Sequence, residues 1–135
     1  MPSAFSTVFP PPPKFTDAHL PSLVGKVYII TGAASGVGFE LSKILYAAGG
    51  TVYIAARSVS RCNGAVEKIK TELGNRKTLG RLETMVINLA DLGSIKEPVE
   101  EFLRKETRLD VLVHNAGVMT PPAGSKDVLV RNSDA

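Results

Sequence analysis

Short apolar runs bounded by glycine and polar clusters alternate along this chain with longer stretches whose apolar residues recur at helical spacing. Residues 27–31, Val-Tyr-Ile-Ile-Thr, are the first run and read as a buried strand. Residues 36–48 follow as a helix with Val37, Leu41, Ile44, Leu45 and Ala48 on one face, and Gly49-Gly50 closes it. Residues 51–56 are a second strand. Ser58 or Ser60 then caps a helix whose apolar face is Cys62, Ala65, Val66, Ile69 and Leu73, and Gly74 stops it. Residues 75–83 read as a polar, basic loop and 84–88 as a third strand. The third helix carries Leu92, Ile95, Val99, Phe102 and Leu103 on one face. Asp91 or Ser94 caps it, Ser94-Ile95-Lys96-Glu97 fits a capping box, and Pro98 has to stand near its start. Residues 110–114 are a fourth strand, closed by the turn Asn115-Ala116-Gly117.

Strands alternating with helices specify an α/β fold with a parallel sheet. The expected architecture is the N-terminal half of a Rossmann-type doubly wound sheet, with strands in the order 3-2-1-4. Residues 1–22 read as a flexible proline-rich arm, marked by Pro10-Pro11-Pro12-Pro13, with Phe15 and Leu20 against the domain edge. Residues 23–120 are the half-domain, and 121–135 an irregular tail. Within the tail, residues 127–132 repeat residues 110–115 except that Arg131 replaces His114. No second copy of the surrounding unit exists, so this is not a repeat architecture.

Composition narrows the function classes. A chain of 135 residues with 44% hydrophobic and 21% charged residues suits one soluble globular domain. No segment approaches the roughly 20 apolar residues of a membrane span, and residues 1–13 do not resemble a secretory signal. Cys62 is the only cysteine, which excludes an intramolecular disulfide and suits a reducing, cytoplasmic setting. The net charge of +3 comes from scattered basic residues, a solvated surface rather than a nucleic-acid footprint. His19 and His114 are the only histidines and no carboxylates cluster, so no metal site is expected.

The candidate chemistry begins at Thr31-Gly32-Ala33-Ala34-Ser35-Gly36-Val37-Gly38, between the first strand and the first helix. Glycines there let backbone N–H groups and a helix N-terminus approach a phosphate. Arg57 follows the second strand, about twenty positions beyond Gly38, where a dinucleotide fold meets the adenosine ribose. An acidic residue there reads the 2′-hydroxyl of NAD; an arginine instead pairs with the 2′-phosphate of NADP. Ser58 adds a hydroxyl and Arg61 a second charge. The competing reading of Arg57 is an ordinary exposed arginine. Asn88 ends the third strand, where an amide can accept from the adenine amino group and donate to a ring nitrogen, or simply bond backbone. Asn115, Ala116 and Gly117 stand beside the topological switch point, either a plain turn or an approach for the cofactor ribose.

Together these residues resemble the short-chain dehydrogenase/reductase family, in particular its retinol-dehydrogenase-like and fungal members. The resemblance covers about residues 15–124. It rests on Thr31 through Gly38 for Thr-Gly-x3-Gly-x-Gly, on Asn88-Leu89-Ala90-Asp91-Leu92 for Asp-Leu-x-Asp-Leu, and on His114-Asn115-Ala116-Gly117 for Asn-Asn-Ala-Gly. It implies hydride transfer between NADP and a small-molecule alcohol or carbonyl substrate. Ser35, Gly36, Val37 and Gly38 would then surround the pyrophosphate, Arg57 the 2′-phosphate, Asn88 and Leu89 the adenine, and Asn115, Ala116 and Gly117 the inner ribose. Asn88 replaces the usual aspartate and His114 the usual first asparagine. A larger departure concerns catalysis. The family uses a serine and a Tyr-x3-Lys pair, yet four positions beyond Tyr28, Tyr46 and Tyr53 stand Gly32, Gly50 and Arg57. No catalytic residue is therefore assigned. The expectation is a chain truncated before the catalytic half and inactive alone. The alternatives are a non-catalytic dinucleotide-binding module or a remnant that does not fold stably. The fourth strand, apolar between its ends, would then need a chain that supplies the missing half as its neighbour.

Overall fold

Five consecutive buried residues make β1 (Val27–Thr31) the centre of the sheet. It lies between β2 (Thr51–Ala56) and β4 (Val111–Val113), while β3 (Arg81–Val86) pairs with β2, giving the order β3-β2-β1-β4. All three pairings are parallel: Val27 stands opposite Thr51, Thr51 opposite Arg81, and Tyr28 opposite Val111. Parallel neighbours need long crossovers, supplied by α1 (Gly36–Ala47), α2 (Val59–Leu73) and α3 (Lys96–Lys105), the last entered through a 3-10 turn, Leu92–Ile95. The α/β, Rossmann-type half-sheet read from the sequence is the fold of the chain. This computed structural model describes residues 10, 12–74, 77, 80–118 and 123–124. The first nine residues of the arm and the 127–132 echo lie outside them.

Strand alternation sorts the core into two layers. Tyr28, Ile30, Val52 and Ile54 cluster with Phe39 and Leu45 of α1 and with Ala65, Val66 and Ile69 of α2. Val27, Ile29, Tyr53, Ala55 and Met85 cluster instead with Phe102 of α3, whose ring meets Tyr53 edge-on at 4.9 Å. Helices thus cover both faces of the sheet. Ile30, Val52, Ile54 and Ile69 are wholly buried, each stabilising the fold by roughly 1.5–3 kcal/mol.

Several local readings need correction. Val37 does not face the core; it is 77% exposed, and Phe39 and Ser42 are buried in its place. The Ser42 hydroxyl is satisfied by donating to the Gly38 carbonyl at 2.7 Å. The Ser94 capping box does not form, because the Ser94 hydroxyl donates to the Asp91 carbonyl at 2.7 Å. Asp91 accepts from the Gly93 N–H at 3.1 Å and starts the 3-10 turn, so α3 begins only at Lys96. Pro98 then falls in the first helical turn, where a missing N–H costs little. Of the expected α3 face, Leu92, Val99 and Leu103 remain exposed. β3 starts at Arg81, not at residue 84. Its charged residues are tolerable on an edge strand: Arg81 pairs with Glu83 at 3.4 Å and also with Glu106. Leu20 is half-buried beside α1, but Phe15 stays 66% exposed.

A charged knot fastens β4 to β1. The Asp110 N–H donates to the Val27 carbonyl at 2.9 Å, and the Val27 N–H donates to the Asp110 carboxylate at 2.8 Å. Arg108 Nε donates to the same carboxylate at 2.9 Å and Lys26 lies 3.4 Å away. Arg108, the Val27 N–H and Lys26 pull the Asp110 carboxyl down to about 2. A depressed carboxyl stabilises the fold above its unfolded value and ceases to do so as pH falls towards the folded value. The stability gap between the native chain and Asp110→Asn is therefore expected to close between about pH 4 and pH 2. Thermal melts of both at stepped pH check this, and a constant gap contradicts it.

Candidate functional site

The carboxyl ends of the strands open into a cleft of about 470 Å³. Thr31, Gly32, Ala34 and Ser35 from the β1–α1 turn form one wall, and Asn115, Ala116, Gly117 and Val118 beyond β4 form another. Ala55, Ala56, Arg57 and Arg61 line it from the β2–α2 side, and Ile87, Asn88, Leu89 and Ala90 from the end of β3. Ligands in open α/β sheets occupy this crevice at the switch in strand order, here between β1 and β4.

Thr31 organises the cleft floor. Its hydroxyl accepts from the N–H groups of Asn115 (3.1 Å) and Ala116 (3.0 Å) and donates to the Val113 carbonyl at 3.2 Å. The Asn115 amide donates back to the carbonyls of Thr31 (3.1 Å) and Gly32 (3.4 Å). Asn115 thus braces the β1–α1 turn against the end of β4, with Thr31 as its partner. Thr31→Val keeps the shape and removes all three hydroxyl bonds, leaving two half-buried N–H groups without that acceptor. It is expected to cost about 2 kcal/mol and to weaken ligand binding in the cleft. Urea denaturation and calorimetry check both, and an unchanged midpoint contradicts the role.

Two glycines fit this packing. Gly32 has φ +66°, and a Cβ there would meet the Ala116 backbone at 3.0 Å. Gly38 lies beneath it, where a Cβ would fall 2.5 Å from the Asn115 amide and 2.8 Å from the Gly32 carbonyl oxygen. Gly38 is buried and, like Gly36, Val37 and Ser58, is not on the cleft surface. Ser58 serves as the α2 cap, accepting from the Arg61 N–H at 3.4 Å.

Arg57 and Arg61 bring two guanidinium groups to the cleft, and among the described residues neither pairs with a carboxylate. Among the described residues no Asp or Glu lines the cleft. Asn88 is less free than expected. It stands beyond β3, its side-chain oxygen accepts from the Ala90 N–H at 3.2 Å, and its own N–H donates to Ser94 at 3.3 Å. Its NH2 group remains the part able to meet a ligand. Besides Thr31, the reading missed Ala34, Ala55, Ala56, Ile87, Ala90 and Val118, whose only signal was position at or beside a strand end. Among the described residues no group of three or more metal-ligating side chains occurs, and no helix is long and apolar enough to cross a membrane.

Comparison with known proteins sharpens the picture. A sequence profile described as short chain dehydrogenase matches residues 26–132. The chain is 50% identical over 119 residues to a short-chain dehydrogenase/reductase of Phomopsis amygdali, covering 88% of this chain and 35% of that protein. It is 49% identical over 114 residues to the short-chain dehydrogenase/reductase pkfC of Emericella nidulans, covering 84% and 36%. The chain therefore spans about a third of the length of these relatives. Among solved structures, a metagenomic short-chain oxidoreductase in complex with NADP superposes with TM-score 0.61 at 31% identity, covering 72% of this chain and 41% of that one. The C-domain of a bacterial malonyl-CoA reductase with NADP gives TM-score 0.65 at 33% identity, covering 74% and 16%.

Proposed function

The chain belongs to the short-chain dehydrogenase/reductase family, and on that premise we propose that its cleft holds NADP(H) for an alcohol–carbonyl oxidoreductase. The observation that carries the cofactor choice is the pair Arg57 and Arg61 in a cleft that, among the described residues, no carboxylate lines. A 2′-phosphate gains charge-assisted bonds from such a pair, whereas a ribose diol finds no carboxylate acceptor among the described lining residues. The turn running from Ser35 through Gly36 and Val37 to Gly38, at the start of α1, directs its backbone N–H groups to the pyrophosphate, with Ser35 the member of the four that lines the cleft. Asn88 and Leu89 border the adenine, and Asn115, Ala116 and Gly117 the inner ribose. The solved relatives with NADP support this reading.

The cofactor supplies hydride chemistry at its nicotinamide; these residues supply binding and orientation. None of the three tyrosines has a lysine four positions on, so no family-type proton donor lies within these 135 residues. A positioned donor contributes about 10²–10⁴ in rate. The chain by itself accordingly binds the dinucleotide without turning over a small-molecule alcohol or carbonyl substrate. The outer side of β4 is where a further strand extends the sheet. The setting is cytoplasmic, in keeping with the single, buried, free Cys62.

Calorimetry with NADPH and NADH, followed by an assay of carbonyl-dependent NADPH oxidation, tests this. The expected result is binding that favours NADPH, with oxidation no faster than in buffer. Equal affinity for both cofactors, or turnover that survives purification, contradicts it.

A further inference from the structure

The cleft wall made by Asn88, Leu89 and Ala90 stands beyond the end of β3. The last hydrogen bond from this stretch to the sheet runs from the Ile87 N–H to the Ala56 carbonyl, at 2.9 Å. Ile87 is buried in the α3-side core layer, and the chain returns to that layer at Ile95, which packs against it. Between these two anchors, among the described residues, the hydrogen bonds of the wall all close within residues 88–94. The Asp91 N–H donates to the Asn88 carbonyl at 2.9 Å, and the Ala90 N–H donates to the Asn88 side-chain oxygen at 3.2 Å. Those two bonds shape a turn but tie it to nothing outside itself.

The Ser94 hydroxyl does the tying. It accepts from the Asn88 N–H at 3.3 Å and donates to the Asp91 carbonyl at 2.7 Å. The start of the loop is thereby joined to the residue next to the Ile95 anchor. This hydroxyl is not spent on starting a helix: Asp91 caps the 3-10 turn, and no side chain caps α3. Ser94 is half-buried and does not line the cleft, so it reaches a ligand only through the residue it holds. With its oxygen on the Ala90 N–H, Asn88 offers its NH2 group, and a donor weakens steeply when misaligned.

We propose that Ser94 is a positioning residue of the cofactor site, holding Asn88 at the angle at which its NH2 group meets the base. This rests on the reading that Asn88 borders the adenine.

Calorimetry of the full chain with NADPH and with adenosine 2′,5′-bisphosphate, the base-bearing half of that cofactor, tests the proposal. Ser94→Ala should keep the native circular dichroism and bind both ligands about tenfold more weakly, the effect of one misplaced hydrogen bond. Ser94→Thr returns a hydroxyl and should recover the affinity. In an Asn88→Ala background the group to be placed is gone, so adding Ser94→Ala should change affinity by less than about twofold. A role in stability alone would lower the melting temperature of Ser94→Ala and leave these affinities unmoved. Hydrogen exchange on the native chain needs no variant. By reciprocity, a ligand that holds Asn88 should slow exchange of the Asn88 N–H, and this measurement decides if Ser94→Ala does not fold. Equal affinity of Ser94→Ala and the native chain, a full tenfold loss in the Asn88→Ala background, or exchange at Asn88 unmoved by saturating ligand would overturn the proposal and leave the cofactor site standing. A native chain that binds neither ligand would remove the cofactor reading and this proposal with it.

Discussion

Replacing Arg57 with aspartate is expected to reverse the cofactor preference from NADPH to NADH. Arg57 lines the cleft just past β2, and among the described residues no carboxylate shares that surface. A hydrogen bond from a charged group contributes about 1.5–3 kcal/mol, so its loss alone lowers NADPH affinity roughly ten- to a hundredfold, and repulsion between the aspartate and the 2′-phosphate adds to that. The same carboxylate accepts from ribose hydroxyls, so NADH affinity rises. Arg61 remains as a second cation in the cleft, so the double variant Arg57→Asp/Arg61→Ala should discriminate against NADPH more strongly than Arg57→Asp alone. Calorimetric titration of the three proteins with both cofactors measures this. A variant that keeps the native preference would remove Arg57 from the site.

Gly38→Ala should damage both fold and cleft. The added methyl would sit 2.5 Å from the Asn115 amide and 2.8 Å from the Gly32 carbonyl oxygen. The amide can rotate away, but only by giving up its bonds to the Thr31 and Gly32 carbonyls. The Gly32 oxygen is backbone and moves only if the whole turn moves. Overpacking of this kind typically costs 1–3 kcal/mol, and a contact with backbone argues for the upper end, about 3 kcal/mol. Dinucleotide binding should fall below detection, because the turn and the Asn115 wall shift together. Gly64→Ala, in α2 with open space around its Cβ, is the control and should be neutral or mildly stabilising. Equal melting temperatures for Gly38→Ala and the native chain would contradict the packing argument.

How far the sequence could be read varies with how each residue is stabilised. β1 and β2 were legible because unbroken apolar runs suit strands buried on both faces. The start of β3 was hidden because Arg81 and Glu83 look like loop residues; only the sheet's edge and Glu106 make them strand residues. The phase of α1 was misjudged at Val37, since its glycine neighbours carry no side chain to mark a face. At Ser94 the local capping pattern lost to Asp91, which begins the 3-10 turn first. The positions of Arg57, Arg61 and Asn115 around one cleft followed from spacing and strand order. Thr31 was missed as its organiser because a threonine closing an apolar run reads as one more strand residue. Its partners, Asn115 and Ala116, lie 84 and 85 positions away.

That separation bears on the order of events in folding. Contacts so distant in sequence must first overcome the entropy of closing a long loop, so they form late. The α1 and α2 units can assemble on β1 and β2 from nearer neighbours, but the Thr31 hydroxyl finds its acceptor and donors only when β4 docks. During synthesis the cleft would stay incomplete until Asn115 had left the ribosome. On the proposed reading dinucleotide binding would therefore wait for β4, and occupancy would mark the chains in which β4 has docked on β1.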